Sequence, residues 1–250
     1  MTKLLKVFFV LFIATASISH CNPAAAFSLP ERLTFDLTWA GIKAGSAVLE
    51  ATDNGDTISF SSRAVSADWI SVFYPVEDTA VSSLKKTAAD KSTDDFIGMP
   101  HTYRLKTSEG RHKKNREIIF DQDAKKAVHM DFLSGEKVSA ELHGITFDPL
   151  SAFYYVRKLP LEVGKSVYVD IYDSKKLYSV EVQVLKKEVL ETPLGKFKTV
   201  LIKPVMKSDG IFYRKGDILI SFTDDARRLP VMVRTKVPVG YINVILVGVK

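Results

Sequence analysis

Basic side chains are concentrated around one predicted turn, Glu109-Gly110, and they are well suited to bind an anion. This basic hairpin, residues 104–116, contains one acid, Glu109, and six cations: Arg104, Lys106, Arg111, Lys113, Lys114 and Arg116. A hairpin with these side chains concentrates positive potential at its tip, which attracts lipid headgroups, lipopolysaccharide phosphates, acidic glycans or an acidic protein surface. The alternative is a solvated strand edge whose lysines prevent edge-to-edge pairing of sheets.

A second candidate segment, Trp39-Ala40-Gly41-Ile42-Lys43-Ala44-Gly45, joins the first two predicted strands. Two glycines four residues apart allow a tight reversal or a bulge, and a backbone or a ligand can approach a glycine closely. We therefore name Trp39, Gly41, Lys43 and Gly45 as candidate binding residues. Core packing combined with turn chemistry explains the same residues without a ligand.

Residue types that do catalysis or hold metals are present without the spacing that such sites need. The histidines after residue 26 are far apart in the sequence: His101, His112, His129 and His143. Zinc sites bring their ligands from short, fixed spacings, and serine hydrolases carry a G-x-S-x-G turn, which this sequence lacks. The pairs Asp94-Asp95 and Asp224-Asp225 lie in predicted turns, where carboxylates bind local backbone. We expect no catalytic residue, no metal and no cofactor.

The first twenty-six residues have the pattern of a cleavable export signal. Lys3 and Lys6 precede a largely apolar stretch over residues 7–18, and the small residues Ala24-Ala25-Ala26 follow it. The apolar stretch is shorter than the roughly 20 residues of a membrane-spanning helix. The sequence predicts cleavage after Ala26 and a periplasmic protein. His20 argues against a lipoprotein cut before Cys21, because that cut needs a small residue there.

Removal of the signal limits the chemistry of the remaining 224 residues. Cys21 is the one cysteine, so the mature chain has neither a disulfide nor a thiol nucleophile. Two lysines and no acids are lost, and the formal net charge falls from +6 to +4. We expect no nucleic-acid partner, because export separates the chain from nucleic acid, and no transmembrane segment after cleavage. The length suits a single β-rich domain at 27–250.

Period-two alternation of apolar and polar residues predicts an all-β, mainly antiparallel fold. The clearest alternating strands contain Leu33, Phe35, Leu37 and Trp39; Ile58 and Phe60; Val167, Val169 and Ile171; Val180, Val182 and Val184; and Ile218, Ile220 and Phe222. Turn residues such as Asn54-Gly55, Ser134-Gly135, Pro193-Leu194-Gly195 and Asp209-Gly210 separate the strands. Their spacing predicts ten to twelve strands. We expect one curved sheet, a half-barrel or open barrel, with a two-sheet sandwich as the alternative.

Two segments depart from the strand pattern. Asp148 and Pro149 are a favourable N-cap and first helical residue, so the sequence predicts a short helix over 148–158 with Leu150, Phe153 and Tyr154 on one face. A weaker helical pattern runs over 66–73, with Ser66 as the candidate cap.

Four stretches together resemble a bacterial envelope family, the domain of unknown function 3108. They are LTFDLTWAGIKAG (33–45), DPLSAFYY (148–155), YDSKKLY (172–178) and DDARRLPV (224–231). The resemblance extends over nearly all of the mature chain, with the stretches in the family's order. The resemblance implies an exported or periplasmic β-rich domain, and it implies no assigned activity or catalytic residue. Within it, segments 39–45 and 224–231 are the first places to look for a site.

The function we expect is that of a non-catalytic cell-envelope protein that binds an amphipathic or lipid-like molecule in a concave β face. The alternative is a glycan- or protein-interaction module of the envelope that uses the basic hairpin, and a hydrolase is third. Possible partners are a lipid, lipopolysaccharide or another acidic envelope component. The sequence leaves the oligomeric state undetermined.

Overall fold

The computed structural model describes residues 29–86, 97–207, 218–237 and 240–250. The predicted signal peptide, Cys21, Asp94-Asp95 and Asp209-Gly210 lie outside these ranges. The strands are β1 (Glu31–Trp39), β2 (Ile42–Asp53), β3 (Thr57–Ser66), β4 (Val76–Lys85), β5 (Met99–Glu109), β6 (His112–Asp121), β7 (Lys126–Asp131), β8 (Lys137–Glu141), β9 (Ser166–Asp173), β10 (Lys176–Thr192), β11 (Gly195–Lys207), β12 (Ile218–Thr223), β13 (Pro230–Val237) and β14 (Gly240–Val249). The helices are α1 (Asp68–Ser71) and α2 (Pro149–Val156).

All of these strands belong to one antiparallel sheet. Its order is β8-β7-β6-β5-β4-β3-β2-β1-β14-β13-β12-β11-β10-β9, so almost every strand pairs with its neighbour in the sequence. The predicted all-β antiparallel fold is confirmed, and the alternative of two separate sheets is wrong. The described ranges hold fourteen strands, more than the ten to twelve that turn spacing predicted. No helix within these ranges has the length and apolar character needed to cross a membrane.

Because neighbouring strands run in opposite directions, the turns alternate between two ends of the sheet. The end that carries the connections at 40–41, 67–75, 110–111, 132–136 and 174–175 is called the upper end. The lower end carries the connections at 54–56, 122–125, 193–194 and 224–229, together with the start of β1.

The sheet is rolled so that its two edge regions meet. Arg116 on β6 donates from Nη2 to Asp173 Oδ1 and from Nη1 to Ser174 Oγ, both at 2.7 Å, although β9 ends the opposite edge. Phe147 bridges the same gap: its amide donates to the Asp170 carbonyl and its carbonyl accepts from the Tyr172 amide, each at 2.9 Å. Side chains and this short backbone pairing join the two edges. Edge strands β8 and β9 are not joined by a continuous ladder of backbone hydrogen bonds.

Helix α2 packs inside the roll at the lower end. Asp148 is its N-cap, with Oδ1 accepting from the amides of Leu150 at 2.9 Å and Ser151 at 3.0 Å, and Pro149 occupies the first turn. The ring of Tyr154 is fully buried and stacks on Phe60 of β3 with 3.9 Å between centroids. The helix predicted over 148–158 is thus observed, with its apolar face in the largest hydrophobic cluster.

Helix α1 is shorter than the sequence pattern predicted. It spans Asp68–Ser71, and its N-cap is Ala67, without a side-chain capping bond, rather than Ser66. The Ser66 hydroxyl instead accepts from the Val76 amide at 2.8 Å and lies 2.7 Å from the Ser71 hydroxyl. Ser66 therefore closes the connection between β3 and β4.

Candidate binding site

The side of the sheet that faces the inside of the roll, called here the concave face, is tightly packed at its lower end. Residues paired directly across strands point to the same side of a sheet. One such row consists of Ala51, Phe60, Ser82, Tyr103, Ile118 and His129. Each of these six is at most 4% exposed. The lower concave face is therefore the protein core, filled by α2.

Toward the upper end the concave face keeps its apolar character and is covered less completely. Six residues there form the upper apolar wall: Leu37, Trp39, Ile218, Val233, Ile242 and Val244. Pairing places Leu37, Val244 and Val233 in one row and Trp39 and Ile242 in the next row upward. All six are only half-buried. Covering such surface is favourable by roughly 25 cal/mol per Å², so a ligand with hydrocarbon character would gain from lying against it.

Across the roll from this wall the upper concave face carries polar side chains alongside apolar ones such as Ala80 and Leu105. The polar residues, called the polar wall, are Ser62, Asp78, Thr107, Lys114 and Arg116. Strand β6, which carries both cations, is seven places from β13 in the fourteen-strand order, so the two walls face each other. Burial raises the pKa of Asp78, and the hydrogen bond from the Ser108 amide and the charge of Lys114 act against this shift. The upper concave face is thus amphipathic, apolar on one side and cationic on the other.

The seam where the sheet edges meet contains several buried polar groups. Arg116 Nε, His129 Nδ1 and the Tyr172 hydroxyl are buried, and no protein group of the described ranges forms a hydrogen bond with these three atoms. Burial lowers the pKa of His129, and the positive charge of Arg116 lowers it further. Burial, followed by the charge of Asp148, raises the pKa of Tyr103 in the same region. Arg116 belongs to the polar wall, and His129 lies in the next concave row below it.

The structure divides the basic hairpin between the two faces of the sheet. Arg111 is at the tip, Lys114 and Arg116 lie in concave rows, and the remaining cations, Arg104, Lys106 and Lys113, point to the convex side. Arg116 is 9% exposed, because alternation on β6 turns it inward to the seam. Arg104 lies over the Phe132 ring at 3.9 Å and donates to Asn115 Oδ1 at 3.0 Å. The cluster therefore supplies an exposed tip and a cationic part of the concave face.

Segment 39–45 forms the turn and bulge that its glycines suggested. Ala40 and Gly41 have φ of 50° and 80°, the left-handed conformations of a two-residue hairpin loop. Gly45 lies so close to β3 that an added Cβ would be 2.4 Å from the Val65 carbonyl oxygen. Lys43 is exposed and forms an ion pair with Asp36 at 2.6 Å. Of the four candidates here, Trp39 alone belongs to the upper apolar wall.

The family-like segments 148–155 and 224–231 meet at the lower end, where they anchor the helix. Arg157, directly after α2, forms a fully buried ion pair with Glu31 at 2.7 Å. The same guanidinium donates to the carbonyls of Arg227 at 3.1 Å and Arg228 at 3.0 Å. Asp225 Oδ1 accepts from the amides of both arginines, the backbone role predicted for this turn.

Asp148 completes this lower anchor. Its Oδ2 accepts from the hydroxyls of Ser82 and Ser151, both at 2.6 Å. Burial raises the pKa of Asp148, and the hydrogen bonds from these serines and from the helix amides act in the opposite direction. Sequence reasoning identified Asp148 as a cap and missed Glu31, Ser82 and Arg157. Their partners are 66 to 126 residues away, and no local pattern marks them.

The four histidines after residue 26 occupy separate environments. His129 is buried, His101 is half-buried, and His112 and His143 are exposed. Within the described ranges no three His, Cys, Asp or Glu side chains are grouped to hold a metal ion. A polar cleft of about 350 Å³ lies beside α1, lined by residues that include Arg63, Ser71 and Ser108. It is separate from the upper apolar wall.

Comparisons with known proteins support the fold and identify the family. No curated protein matches this chain. Among solved structures, it is similar to the "beta-barrel-like protein of domain of unknown function DUF1849" from Brucella abortus, with 12% sequence identity and a TM-score of 0.59. That match covers 88% of this chain and 97% of the Brucella chain, and it supports a barrel-like fold alone. The family model described as "protein of unknown function (DUF3108)" matches residues 34–247, and the chain therefore belongs to the domain of unknown function 3108 family.

Proposed function

We propose that this protein is a non-catalytic binding protein of the cell envelope that holds an amphipathic, lipid-like molecule in its upper concave face. The observation that carries the proposal is the change along that face from a packed core to half-buried apolar rows. Ile118 and Phe60 are inaccessible to water, whereas Leu37, Val233 and Val244 on the same face are only half-buried.

The chemistry of the two walls favours a ligand with one hydrocarbon part and one anionic part. Leu37, Ile242 and Val244 offer a surface without hydrogen-bonding groups to an acyl chain. Facing them, Lys114 is exposed at the upper end and Thr107 is its cross-strand neighbour. A carboxylate or phosphate headgroup gains charge-assisted hydrogen bonds from such donors. Most ligand sites combine an apolar lining with a few polar groups in this way.

The envelope location in the proposal rests on residues 1–26. A lysine-containing start, a short apolar stretch and a small-residue end are the features of an export signal. Cleavage after Ala26 predicts a mature protein that begins at Phe27, and N-terminal sequencing of exported protein tests it. A diacylated Cys21, or no cleavage, would contradict this part of the proposal.

Native mass spectrometry of the protein purified from its own envelope tests the binding proposal. We expect an adduct of lipid mass that survives gentle ionisation and is released at higher collision energy. Two neighbouring positions on β3 provide a matched pair of variants. Ala64 lies on the concave face in the row of Ala47 and Asp78, whereas Arg63 is exposed on the convex face.

The Ala64→Trp variant introduces a large ring into the upper concave face and should lose the adduct. Arg63→Trp introduces the same ring on the other side of the sheet and should retain it. Loss of the adduct in both variants, or in neither, contradicts binding in the concave face. A wild-type protein that never carries an adduct contradicts the proposal as a whole.

A further inference from the structure

Large apolar side chains are exposed at the tips of the upper end. These residues, called the apolar ridge, are Ile42, Trp69, Val72, Phe73, Tyr74, Phe132 and Leu133. Phe73 is 83% exposed and Val72 is 76% exposed. A single exposed apolar residue is ordinary, but a group of them with aromatic members marks a contact surface. Ile42 pairs with Trp39 and lies on the concave side, whereas Trp69, Val72, Phe73 and Tyr74 of the 67–75 connection and Phe132 and Leu133 lie outside the paired rows that form the proposed ligand site.

Hydrogen bonds and ring packing show that the tips adjoin one another. Trp69 Nε1 donates to the Lys43 carbonyl at 2.9 Å, which joins the first hairpin to the 67–75 connection. Tyr74 packs on the basic hairpin so closely that a Cβ on Gly110 would lie 2.7 Å from its ring. The Gly110 amide donates to the Pro75 carbonyl at 2.8 Å. The ridge residues of the first hairpin and the 67–75 connection therefore adjoin the basic hairpin.

The remaining part of the ridge adjoins the other side of that hairpin. The Phe132 amide donates to the Asn115 carbonyl at 2.8 Å, and Arg104 covers the Phe132 ring at 3.9 Å. Leu133, next to it, is 59% exposed. The exposed tip of the basic hairpin, with Arg111, His112 and Lys113, therefore stands between two apolar groups.

Charge on the upper end favours an anionic partner. Three acids of the upper end, Asp36, Glu77 and Glu136, form ion pairs with Lys43, Arg63 and Lys175, whereas the exposed Asp68 and the half-buried Glu109 offset part of the positive charge there. The exposed hairpin cations Arg111, Lys113 and Lys114 give the upper end a local excess of positive charge.

We infer that the upper end docks on an anionic lipid bilayer, with the apolar ridge inserted among the headgroups and the basic hairpin bound to their phosphates. Interfacial binding strengthens with buried apolar area and with attraction to anionic lipid, and the upper end supplies both. Aromatic rings such as Trp69 and Tyr74, apolar with a polar edge, suit the headgroup region. The inference does not depend on a ligand in the concave face.

Co-sedimentation of the purified protein with vesicles tests this inference. The probes are vesicles of phosphatidylcholine with 30% phosphatidylglycerol, and vesicles of phosphatidylcholine alone, at about 0.1 M and about 1 M salt, where the Debye length is roughly 10 Å and 3 Å. We expect at least about tenfold tighter binding to the anionic vesicles at low salt, and most of that preference lost at high salt. Equal binding to both vesicle types, or no binding, would overturn the inference.

Two double variants separate the electrostatic and apolar contributions. Arg111→Glu with Lys113→Glu should weaken anionic-vesicle binding by more than about tenfold, since each cation near such a surface contributes on the order of a fivefold effect. Val72→Ser with Phe73→Ser should weaken binding by about tenfold or more, because the inserted apolar area is lost.

Matched controls come from the lower end. Lys196→Glu with Lys198→Glu makes the same charge change on exposed residues, and Val189→Ser with Leu194→Ser makes the same polarity change. Both controls should bind vesicles like the wild type, and weakening equal to that of the upper-end variants would mean that no particular surface docks. Ala64→Trp should also bind vesicles normally, so failure of the ligand proposal and failure of this inference are distinguishable.

Self-association through the ridge is the competing outcome. Sedimentation velocity over a range of protein concentrations detects it. The contradicting result has two parts: the wild type forms a dimer but does not bind anionic vesicles, and the variant with Val72→Ser and Phe73→Ser no longer forms that dimer. This result would assign the ridge to a second copy of the chain and overturn the inference.

Discussion

The lower and upper ends of this rolled sheet are built from the same strands and differ in what covers their concave side. At the lower end the buried ring of Tyr154 stacks on Phe60, and Arg157 and Glu31 form a buried ion pair. At the upper end Leu37 and Val244, on the same face, are only half-buried. The difference indicates that the lower end holds the fold together, and we propose that the upper end binds. Changes at the lower end should therefore affect stability, and changes at the upper end should affect binding.

The largest expected effect comes from breaking the buried ion pair at the lower end. Glu31→Ala leaves the Arg157 guanidinium buried without its carboxylate, and we expect the free energy of unfolding to fall by about 3–5 kcal/mol. Urea denaturation followed by circular dichroism measures this loss. The exposed pair of Lys165 and Glu162 is the control, and Glu162→Ala should cost less than about 1 kcal/mol. Similar losses in both variants would mean that the lower end has no special role in stability.

The helix face provides the next largest effect. Phe153 is half-buried, with its ring centroid 5.7 Å from that of Phe222 and 5.9 Å from that of Tyr154. Phe153→Ala should lower the free energy of unfolding by about 3 kcal/mol, the lower end of the range for buried rings. The charge reversal of Arg111 and Lys113 should change it by no more than about 0.5 kcal/mol. An unchanged denaturation midpoint for Phe153→Ala would contradict the packing described for α2.

The smallest effect is a pH dependence that originates at the seam. Burial and Arg116 lower the folded-state pKa of His129 below its ordinary value of 6.5. Between that lowered pKa and 6.5 the unfolded chain binds more protons than the folded chain, so the free energy of unfolding falls as the pH is lowered below 6.5. His129→Gln should flatten this fall. Denaturation midpoints between pH 5 and 7.5 measure it, with the exposed-site variant His143→Gln as the control; equal slopes in all three proteins would contradict the account.

Features with a local chemical cause could be predicted from the sequence. The helix α2 begins where Asp148 and Pro149 predicted, because the cap satisfies amides only two and three residues away. The alternation in β1 and β10 likewise marks strands with one apolar face. The strands from β4 to β8 carry polar residues such as Ser82, Asp78 and Lys114 on their concave side. These residues interrupt the alternation of apolar and polar side chains, so the sequence predicts too few strands.

Features that depend on distant contacts could not be predicted. Arg116 was grouped with surface cations because it follows Lys113 and Lys114, and its burial depends on Asp173, 57 residues away at the opposite edge of the sheet. Glu31 and Arg157 are 126 residues apart. The apolar ridge was equally hidden, since exposed aromatic residues such as Phe73 have the same sequence signature as core residues.

The most direct test of the two-end account measures binding and stability on the same two variants. Titration with a dansyl-labelled fatty acid reports binding, and urea denaturation reports stability, both well below the unfolding temperature. We expect Ala64→Trp to reduce fatty-acid affinity by at least about tenfold while changing the free energy of unfolding by less than about 1 kcal/mol, because the ring enters a half-buried face. Glu31→Ala should do the opposite, with affinity per folded molecule unchanged and a loss of about 3–5 kcal/mol of stability. Unchanged affinity in Ala64→Trp, or a parallel loss of binding and stability in both variants, would contradict the division of the molecule into a structural end and a binding end.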